Sequence, residues 1–289
     1  MICNKLSWEE KSILDAAKRK NVKVNIILNR TYFVNLEEDN VSTDIILQRS
    51  LSYVRGLYTT AILENFGHHV INSYRTSEIC GNKLLTTLTL LKEGIPTPKT
   101  YCAFTKESAL KALDELGYPA VIKPIIGSWG RLIALLKDQD VAKAILEDRE
   151  TMGNIFQKVY YLQEYIVKRA RDMKEYLRRD KAPRDMRVFV IGDEVVAAMN
   201  RHEMEGDWRS SATRGARSVS CDITPEMEEL ALKAAKAVNG EILGIDLIED
   251  EELMVQEINH VSGFHALANS TGRDIGGRIV DYIITQIKG

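Results

Sequence analysis

The segment VIKPIIGSWGR, residues 121–131, is an apolar run that ends in Lys123 and Pro124 and opens into a loop with glycines at 127 and 130. The run reads as a strand. A lysine on its last rung with a glycine loop directly behind it is suited to neutralising phosphate, because loop N–H groups that no side chain screens can point at anionic oxygens. This is not a P-loop: the GK[ST] ending is missing and the lysine precedes the glycines. Taken alone, an exposed lysine before a tight turn explains the stretch equally well.

A second stretch bears on the choice. In GIDLIEDEELMVQEINH, residues 244–260, two apolar runs are split by the acidic turn Asp250–Glu252. Asp246 lies on the first run, while Glu257 and Asn259 lie two apart on the next and share one face of a sheet. Three oxygen ligands on paired strands suit Mg²⁺, which takes one or two carboxylates and completes its shell with water and phosphate. An ordinary polar sheet face is the competing reading, although a carboxylate inside the otherwise apolar QEIN requires a partner.

Around these two stretches helix and strand patterns alternate. Ser7 with Glu10 forms a capping-box start for a helix through about Lys20, followed by strand patterns over 22–28 and 42–47. A helix is expected from Glu78 to Lys92, ended by Gly94 with Pro96 and Pro98 beyond. Further on, KESALKALDEL closes at Gly117, and YYLQEYIV (160–167) is a strand. Gly192-Asp193 separates two β-rich runs as a hairpin turn. Thr224-Pro225 starts a helix to about Asn239, and a last helix follows Gly272. The boundaries divide the chain into an N-terminal α/β unit (1–95), a central unit (96–167) and a C-terminal unit (168–289).

Composition narrows the class. A chain of 289 residues with 45% apolar content can bury a core of two or three units. A net charge of −2 gives no electrostatic case for nucleic acid. No run of 18 apolar residues appears and the N-terminus turns polar at once, so neither membrane span nor signal peptide is expected and the location reads as cytoplasmic. Cys3, Cys80, Cys102 and Cys221 lack CxxC spacing, which argues against a zinc knuckle or a disulfide framework.

GNK (81–83), KPIIGSWGR (123–131), QEYI (163–166), RDMRVFVIGDEVVAAMNR (184–201) and GIDLIE…VQEINH…STGRDIGGRIVDY resemble, in this order, the ATP-grasp ligases of the LysX/ArgX branch, which are related to RimK. The resemblance implies a three-lobed ATP-grasp fold, with a pre-ATP-grasp domain and two α+β lobes sandwiching ATP. Lys83, Lys123 and the loop Gly127, Ser128, Trp129, Gly130 and Arg131 would hold the phosphates. Gln163, Glu164, Tyr165 and Ile166 would line the base, with Asp185 and Ser211 also on the nucleotide side. Asp246, Glu257 and Asn259 would hold Mg²⁺. ATP would activate a carboxylate as an acyl phosphate, and the amino group of an amino acid would attack it to give an amide. Arg187 and Arg201 would act on the reacting groups, with Ala212, Thr213, Gly263, Phe264, His265, Ala266 and Leu267 near the substrate and Arg209 and Arg214 beside them.

The acceptor implied is the terminal glutamate of an acidic amino-group carrier protein of LysW type, in lysine or arginine biosynthesis. Homo-oligomers are common among such ligases. A RimK-like or coenzyme-directed glutamate ligase is the alternative within the fold, and a catalytically inactive nucleotide-binding regulator the alternative outside it. Two departures bear on specificity. The pair aligned with the family's amino-acid selector is Ala266-Leu267, which matches neither the LysX nor the ArgX rule, and Ser211 replaces a usual asparagine. Residues 168–184 carry eight lysines and arginines against Asp172, Glu175 and Asp180, an insertion that could steer an acidic partner or simply be a solvated loop.

Overall fold

The computed structural model describes residues 1–127, 131–166, 185–202, 217–250 and 252–288. The described strands build three sheets, called the N-terminal, central and C-terminal units after the part of the chain that supplies their strands. In the N-terminal unit the order is β2(Ile27–Leu28), β1(Ile2–Cys3), β3(Ile46–Arg49), β4(Val70–Ile71), all parallel. Helix α1(Trp8–Arg19) starts at a reciprocal capping box between Ser7 and Glu10, as the sequence indicates. The strand expected over 22–28 is confined to Ile27–Leu28, because Val22 and Val24 spend their apolar side chains on a core rather than on a ladder. The strand expected at 42–47 instead begins at Ile46 and continues to Arg49.

After α2(Tyr53–Asn65), the helix expected from Glu78 to Lys92 is two helices, α3(Tyr74–Gly81) and α4(Lys83–Lys92). Asn82 is the joint. Its extended backbone ends α3, and its side-chain oxygen accepts from Leu84 N (3.0 Å) and Leu85 N (3.3 Å), capping α4. Lys83 is thereby the first residue of α4, and its N–H donates to the Ile125 carbonyl at 2.8 Å, just beyond the strand that carries Lys123.

The central unit holds β5(Thr100–Ala103), α5(Lys106–Leu116), β6(Ala120–Lys123), β7(Ala134–Leu136), α6(Gln139–Met152) and β8(Tyr160–Glu164), in the antiparallel order β5-β8-β6-β7. Ala109 and Leu113 of α5 and Ala142 and Leu146 of α6 close its core against Ile122, Tyr160 and Leu162. The C-terminal unit is a five-stranded antiparallel sheet, β11(Arg217–Ser220), β10(Glu194–His202), β9(Asp185–Ile191), β12(Ile242–Glu249), β13(Leu253–Asn259), in that order. Helices α7(Pro225–Ala237), α8(His265–Thr271) and α9(Ile275–Lys288) complete it. Helix α8 is not evident in the sequence pattern.

Both faces of this sheet are covered. Residues of α3, α4 and α7 bury one face with Val188, Val190, Leu243 and Val255. Residues of α1, α8 and α9 cover part of the other with Phe189, Ile191 and Ile242. The N-terminal unit therefore shares a core with the C-terminal sheet, and Asn72 stitches the two: its amide donates to the Ile242 and His260 carbonyls (2.7 and 2.8 Å) and accepts from Glu241 N and Ile242 N (2.8 and 3.1 Å). A side-chain amide with all these bonds made carries no desolvation debt. Among the described residues no helix is long and apolar enough to cross a membrane.

Candidate active site

The site lies on the face of the C-terminal sheet that α1, α8 and α9 cover only in part. Along that face the pleat places Phe189, Arg187 and Asp185 of β9 together with Ile242, Gly244, Asp246 and Ile248 of β12, strand against strand. Three bands result. Phe189 and Ile242 belong to the apolar core, Ile248 joins Met254 and Ile166 in a small separate apolar cluster, and charged residues fill the belt between. On β13 a bulge after Asp246/Glu257 makes the register skip Gln256, so Leu247 pairs with Val255. That extra residue lets Met254 and Glu257, three apart in sequence, occupy the same face. Glu257 sits directly across from Asp246, and Asn259 across from Gly244.

The belt is a chain of ion pairs. Arg187 forks onto Asp246, with Nε on Oδ1 and Nη2 on Oδ2 at 2.8 Å. Arg201 donates to Asp185 through Nε at 2.8 Å and again through Nη2, and its Nη1 reaches Asp246 Oδ2 at 3.3 Å. Burial works against ionising Asp246, but Arg187 and Arg201 outweigh it and hold the carboxyl below the ordinary range. Burial likewise opposes the charge on Arg201, and Asp246 and Asp185 more than offset it. Arg201, expected to act on the reacting groups, is thus buried and committed to two acids of its own sheet; Arg187 is similarly occupied on Asp246 and Ser262.

Across from the belt stand two lysines. Lys83 Nζ lies 3.2 Å from Glu257 Oε1 and donates to the Gly127 carbonyl at 3.3 Å. Lys123 is not the exposed lysine that its place at a strand end would allow: it is 9% exposed. Its Nζ donates to Gln163 Oε1 at 2.5 Å, and Gln163 is fixed in turn by Thr100 and Tyr161 at 3.0 Å each. Burial is the main cause that pushes the Lys123 amine down to about 8, Lys83 adds to it, and Glu257, Asp185 and Asp246 pull it back part of the way. Among the described residues no carboxylate forms an ion pair with this ammonium group. A buried cation whose hydrogen-bond partner among the described residues is a neutral amide suits an incoming anion.

The donor set also fits a small hard cation. Two carboxylates and the carbonyl oxygen of a carboxamide share one face, although both Asp246 oxygens are engaged by Arg187 and Arg201. No group of three His, Cys, Asp or Glu among the described residues could hold a metal, so any metal here relies on Asp246, Glu257 and the Asn259 amide. The last residue of β8 is tied to the residue before β5: Glu164 N donates to the Lys99 carbonyl at 2.9 Å and Lys99 N to Glu164 Oε1 at 2.6 Å. Ile166 follows on the Ile248–Met254 floor, with Tyr165 between. Gly127 and Arg131 flank residues 128–130.

The expected substrate loop divides. Phe264 and Leu267 are fully buried in the core with α1 and α9, so their side chains are not open to a solute, and Ala266 packs partly against the same core. Gly263 and His265 are exposed, His265 stacking on Trp8 with ring centroids 4.3 Å apart. Ser128, Trp129, Gly130, Arg209, Ser211, Ala212, Thr213, Arg214 and the basic segment 168–184 lie outside the described residues. Sequence reasoning missed Ser262 and Gly244. Ser262 Oγ accepts from Arg187 Nη1 at 3.0 Å, and a Cβ on Gly244 would lie 2.1 Å from that oxygen. A glycine in an apolar strand facing a metal-type asparagine is the signal that marks such a close approach.

Comparison with known proteins agrees with this geometry. The family model of the RimK-like ATP-grasp domain matches residues 80–283, and that of the LysX preATP-grasp domain matches residues 1–79. The alpha-aminoadipate–LysW ligase LysX of Saccharolobus solfataricus is 36% identical over 258 residues, covering 88% of this chain and 89% of that protein. The glutamate–LysW ligase ArgX of Sulfurisphaera tokodaii is 33% identical over 285 residues, covering 98% and 96%. The crystal structure of a RimK domain ATP-grasp protein from Sphaerobacter thermophilus superposes with a TM-score of 0.77 at 20% identity, over 97% of this chain and 98% of that one. A partly covered sheet face, two lysines opposite an acid–amide set and matches that span both ends of the chain lead to one conclusion: this chain belongs to the RimK-like ATP-grasp family, in its LysX/ArgX branch.

Proposed function

We propose that this protein is an ATP-dependent carboxylate–amine ligase that joins glutamate or 2-aminoadipate to the C-terminal carboxylate of an acidic LysW-type carrier protein, in the cytoplasm and as a homo-oligomer. The observation that carries the chemistry is Lys123, a buried ammonium group with a neutral partner, set opposite the acid–amide face of Asp246, Glu257 and Asn259. The relatives that span nearly the whole chain supply the substrate class, since both 2-aminoadipate and glutamate ligases stand among them at 33–36% identity.

In this reading Lys83 and Lys123 neutralise nucleotide phosphates, and the backbone of Glu164 to Ile166 lines the base above Ile248 and Met254. Glu257 and Asn259, with Asp246 once it releases part of the Arg187 fork, would hold Mg²⁺, which would supply charge neutralisation at the phosphates. Lys83 now leans on Glu257, so binding MgATP exchanges one salt link for contacts of both groups with the ligand. Phosphoryl transfer to the acceptor carboxylate leaves ADP, and attack by the amino group releases phosphate. Such a reaction asks the protein for positioning and charge, not for a nucleophile of its own. Arg187 and Arg201, locked onto Asp246 and Asp185, keep the belt rigid beside the reacting carboxylate.

The test is intact mass spectrometry of the carrier after incubation with ATP, Mg²⁺ and a mixture of amino acids, with ADP measured in parallel. The reading expects one added amino-acid residue on the carrier and ADP release that needs both carrier and amino acid. An unmodified carrier, with ATP bound but not turned over, would instead favour a nucleotide-binding regulator.

A further inference from the structure

The belt does not end at Arg187. Arg187 Nη1 donates to Ser262 Oγ, and the carbonyl of the same Ser262 accepts from Arg49 Nη1 at 3.0 Å. Arg49 belongs to β3 of the N-terminal unit, and its Nε donates to Glu10 of α1 at 3.2 Å. Glu10 is in turn fixed by the capping box, accepting from Ser7 N at 3.0 Å. Glu10, Arg49 and Ser262 are all 4% exposed or less. The guanidinium of Arg49 also lies 5.7 Å over the Phe264 ring, so one side chain grips the segment 262–264 by a carbonyl and by an aromatic face.

A buried ion pair by itself argues weakly for stability, since apolar residues of equal volume usually do as well. What distinguishes Arg49 is where its second arm goes: to a neutral carbonyl on the segment that leaves β13 directly after Asn259, and whose side chain holds Arg187. Gly244 completes the arrangement, because its bare Cα admits Ser262 to the back of Arg187, where a Cβ would stand 3.3 Å from Arg187 Cδ.

We propose that Arg49 is a positioning residue of the ligation site: acting through Ser262, it sets the orientation of Arg187 and so of Asp246. The N-terminal unit thereby contributes to the geometry of the reacting groups without touching them. The effect on turnover rests on the ligase reading; the effect on Arg187 does not.

Arg49→Lys keeps a charge for Glu10 but loses the fork that reaches Ser262, and Ser262→Ala removes only the hydroxyl. The Nε–H signal of Arg187, identified by its loss in Arg187→Lys, is read by ¹H–¹⁵N NMR in each variant of the full chain. In both Arg49→Lys and Ser262→Ala it is expected to shift and to exchange faster with water. An Arg187 signal unchanged in either variant would overturn the proposal. Kinetics give the second arm, with carrier protein, glutamate or 2-aminoadipate, and ATP. Each single variant is expected to lower kcat about tenfold, as loss of an orienting partner commonly does, while the KM for ATP stays within about twofold. Arg49→Lys added to Ser262→Ala is expected to cost no further turnover, because the route is already cut, although it lowers Tm as much as it does alone. Losses that multiply would overturn the relay. If Arg49→Lys does not fold, the charge-free pair Glu10→Gln with Arg49→Met carries the same two readouts. A wild-type protein that releases no ADP with any acceptor defeats the ligase reading, and the Arg187 signal then decides the relay alone.

Discussion

Two regions of this molecule that carry basic side chains face the same space and are built in opposite ways. The arginine belt of the C-terminal sheet is complete within itself: Arg187 and Arg201 are matched by Asp246 and Asp185, and every fork has a carboxylate. The lysine corner of the central unit is incomplete. Lys123 is as buried as Arg201, at 9% exposure each, yet its partner is an amide. The difference separates two uses of buried charge. Paired charges fix geometry at the cost of availability, whereas a desolvated, unmatched ammonium group is unstable until an anion arrives. In the proposed ligase the belt is the frame and the lysine corner is the receptor.

The largest expected effect strikes the frame. Asp246→Asn keeps the shape but leaves the buried Arg201 and the partly buried Arg187 short of one negative charge, and breaking a buried pair from one side costs about 3–5 kcal/mol. Denaturant unfolding should show a loss of that size along with loss of turnover. A change below about 1 kcal/mol would show that the belt is solvated rather than interlocked.

The receptor should respond with the opposite sign. Burial holds the Lys123 amine down at about 8 in the folded protein, against about 10.4 when unfolded, so between these values the unfolded chain binds more protons and stability rises with pH. Below about 8 the full penalty is present. Lys123→Met should therefore stabilise the free protein at pH 7, by on the order of 3 kcal/mol at most, less what the lost Gln163 bond contributes. The gain should shrink as pH climbs towards about 10, and equal stabilities of the two proteins at pH 7 would contradict the comparison.

A smaller effect is expected where the two regions meet. Glu257→Gln removes the charge that Lys83 touches, but that carboxylate is 30% exposed, so stability should move by less than about 1 kcal/mol. Mg²⁺-dependent turnover should nonetheless fall at least about tenfold. Normal Mg²⁺ dependence would reduce Glu257 and Asn259 to a polar sheet face. The smallest effect concerns residues 168–184, outside the described residues: Arg178→Ser with Arg179→Ser should flatten the salt dependence of the carrier KM without changing turnover at saturation. Identical salt slopes would leave the segment without a steering role.

Which of these features could be read in the sequence follows from their range. The capping box of Ser7 and Glu10, the Gly192-Asp193 turn with Gly192 at φ 56, and the alternation that put Glu257 and Asn259 on one face are local, and they appear as written. The break at Asn82 was hidden because the apolar and threonine pattern runs on through it; only the capping role of the asparagine side chain divides the helix. The bulge at Gln256 cannot be seen from periodicity, since it is a mismatch between two strands rather than a property of one. The burial of Lys123 and the commitment of Arg201 to Asp185 depend on partners 40 and 16 residues away. The grip of Arg49 on Ser262 spans 213 residues. Charge types were legible; which charge was already spent was not.

That question has a direct measurement. Binding of ATP to the protein is followed by calorimetry from about pH 7 to 9.5, in buffers of different ionisation enthalpy, for the wild type and for Lys123→Met. If Lys123 is the receptor, affinity falls as pH rises through about 8, the observed heat depends on the buffer because binding takes up a proton, and both effects vanish in the variant along with much of the affinity. An affinity that is flat with pH, or equal in the two proteins, would contradict the assignment of this buried lysine to the nucleotide phosphates.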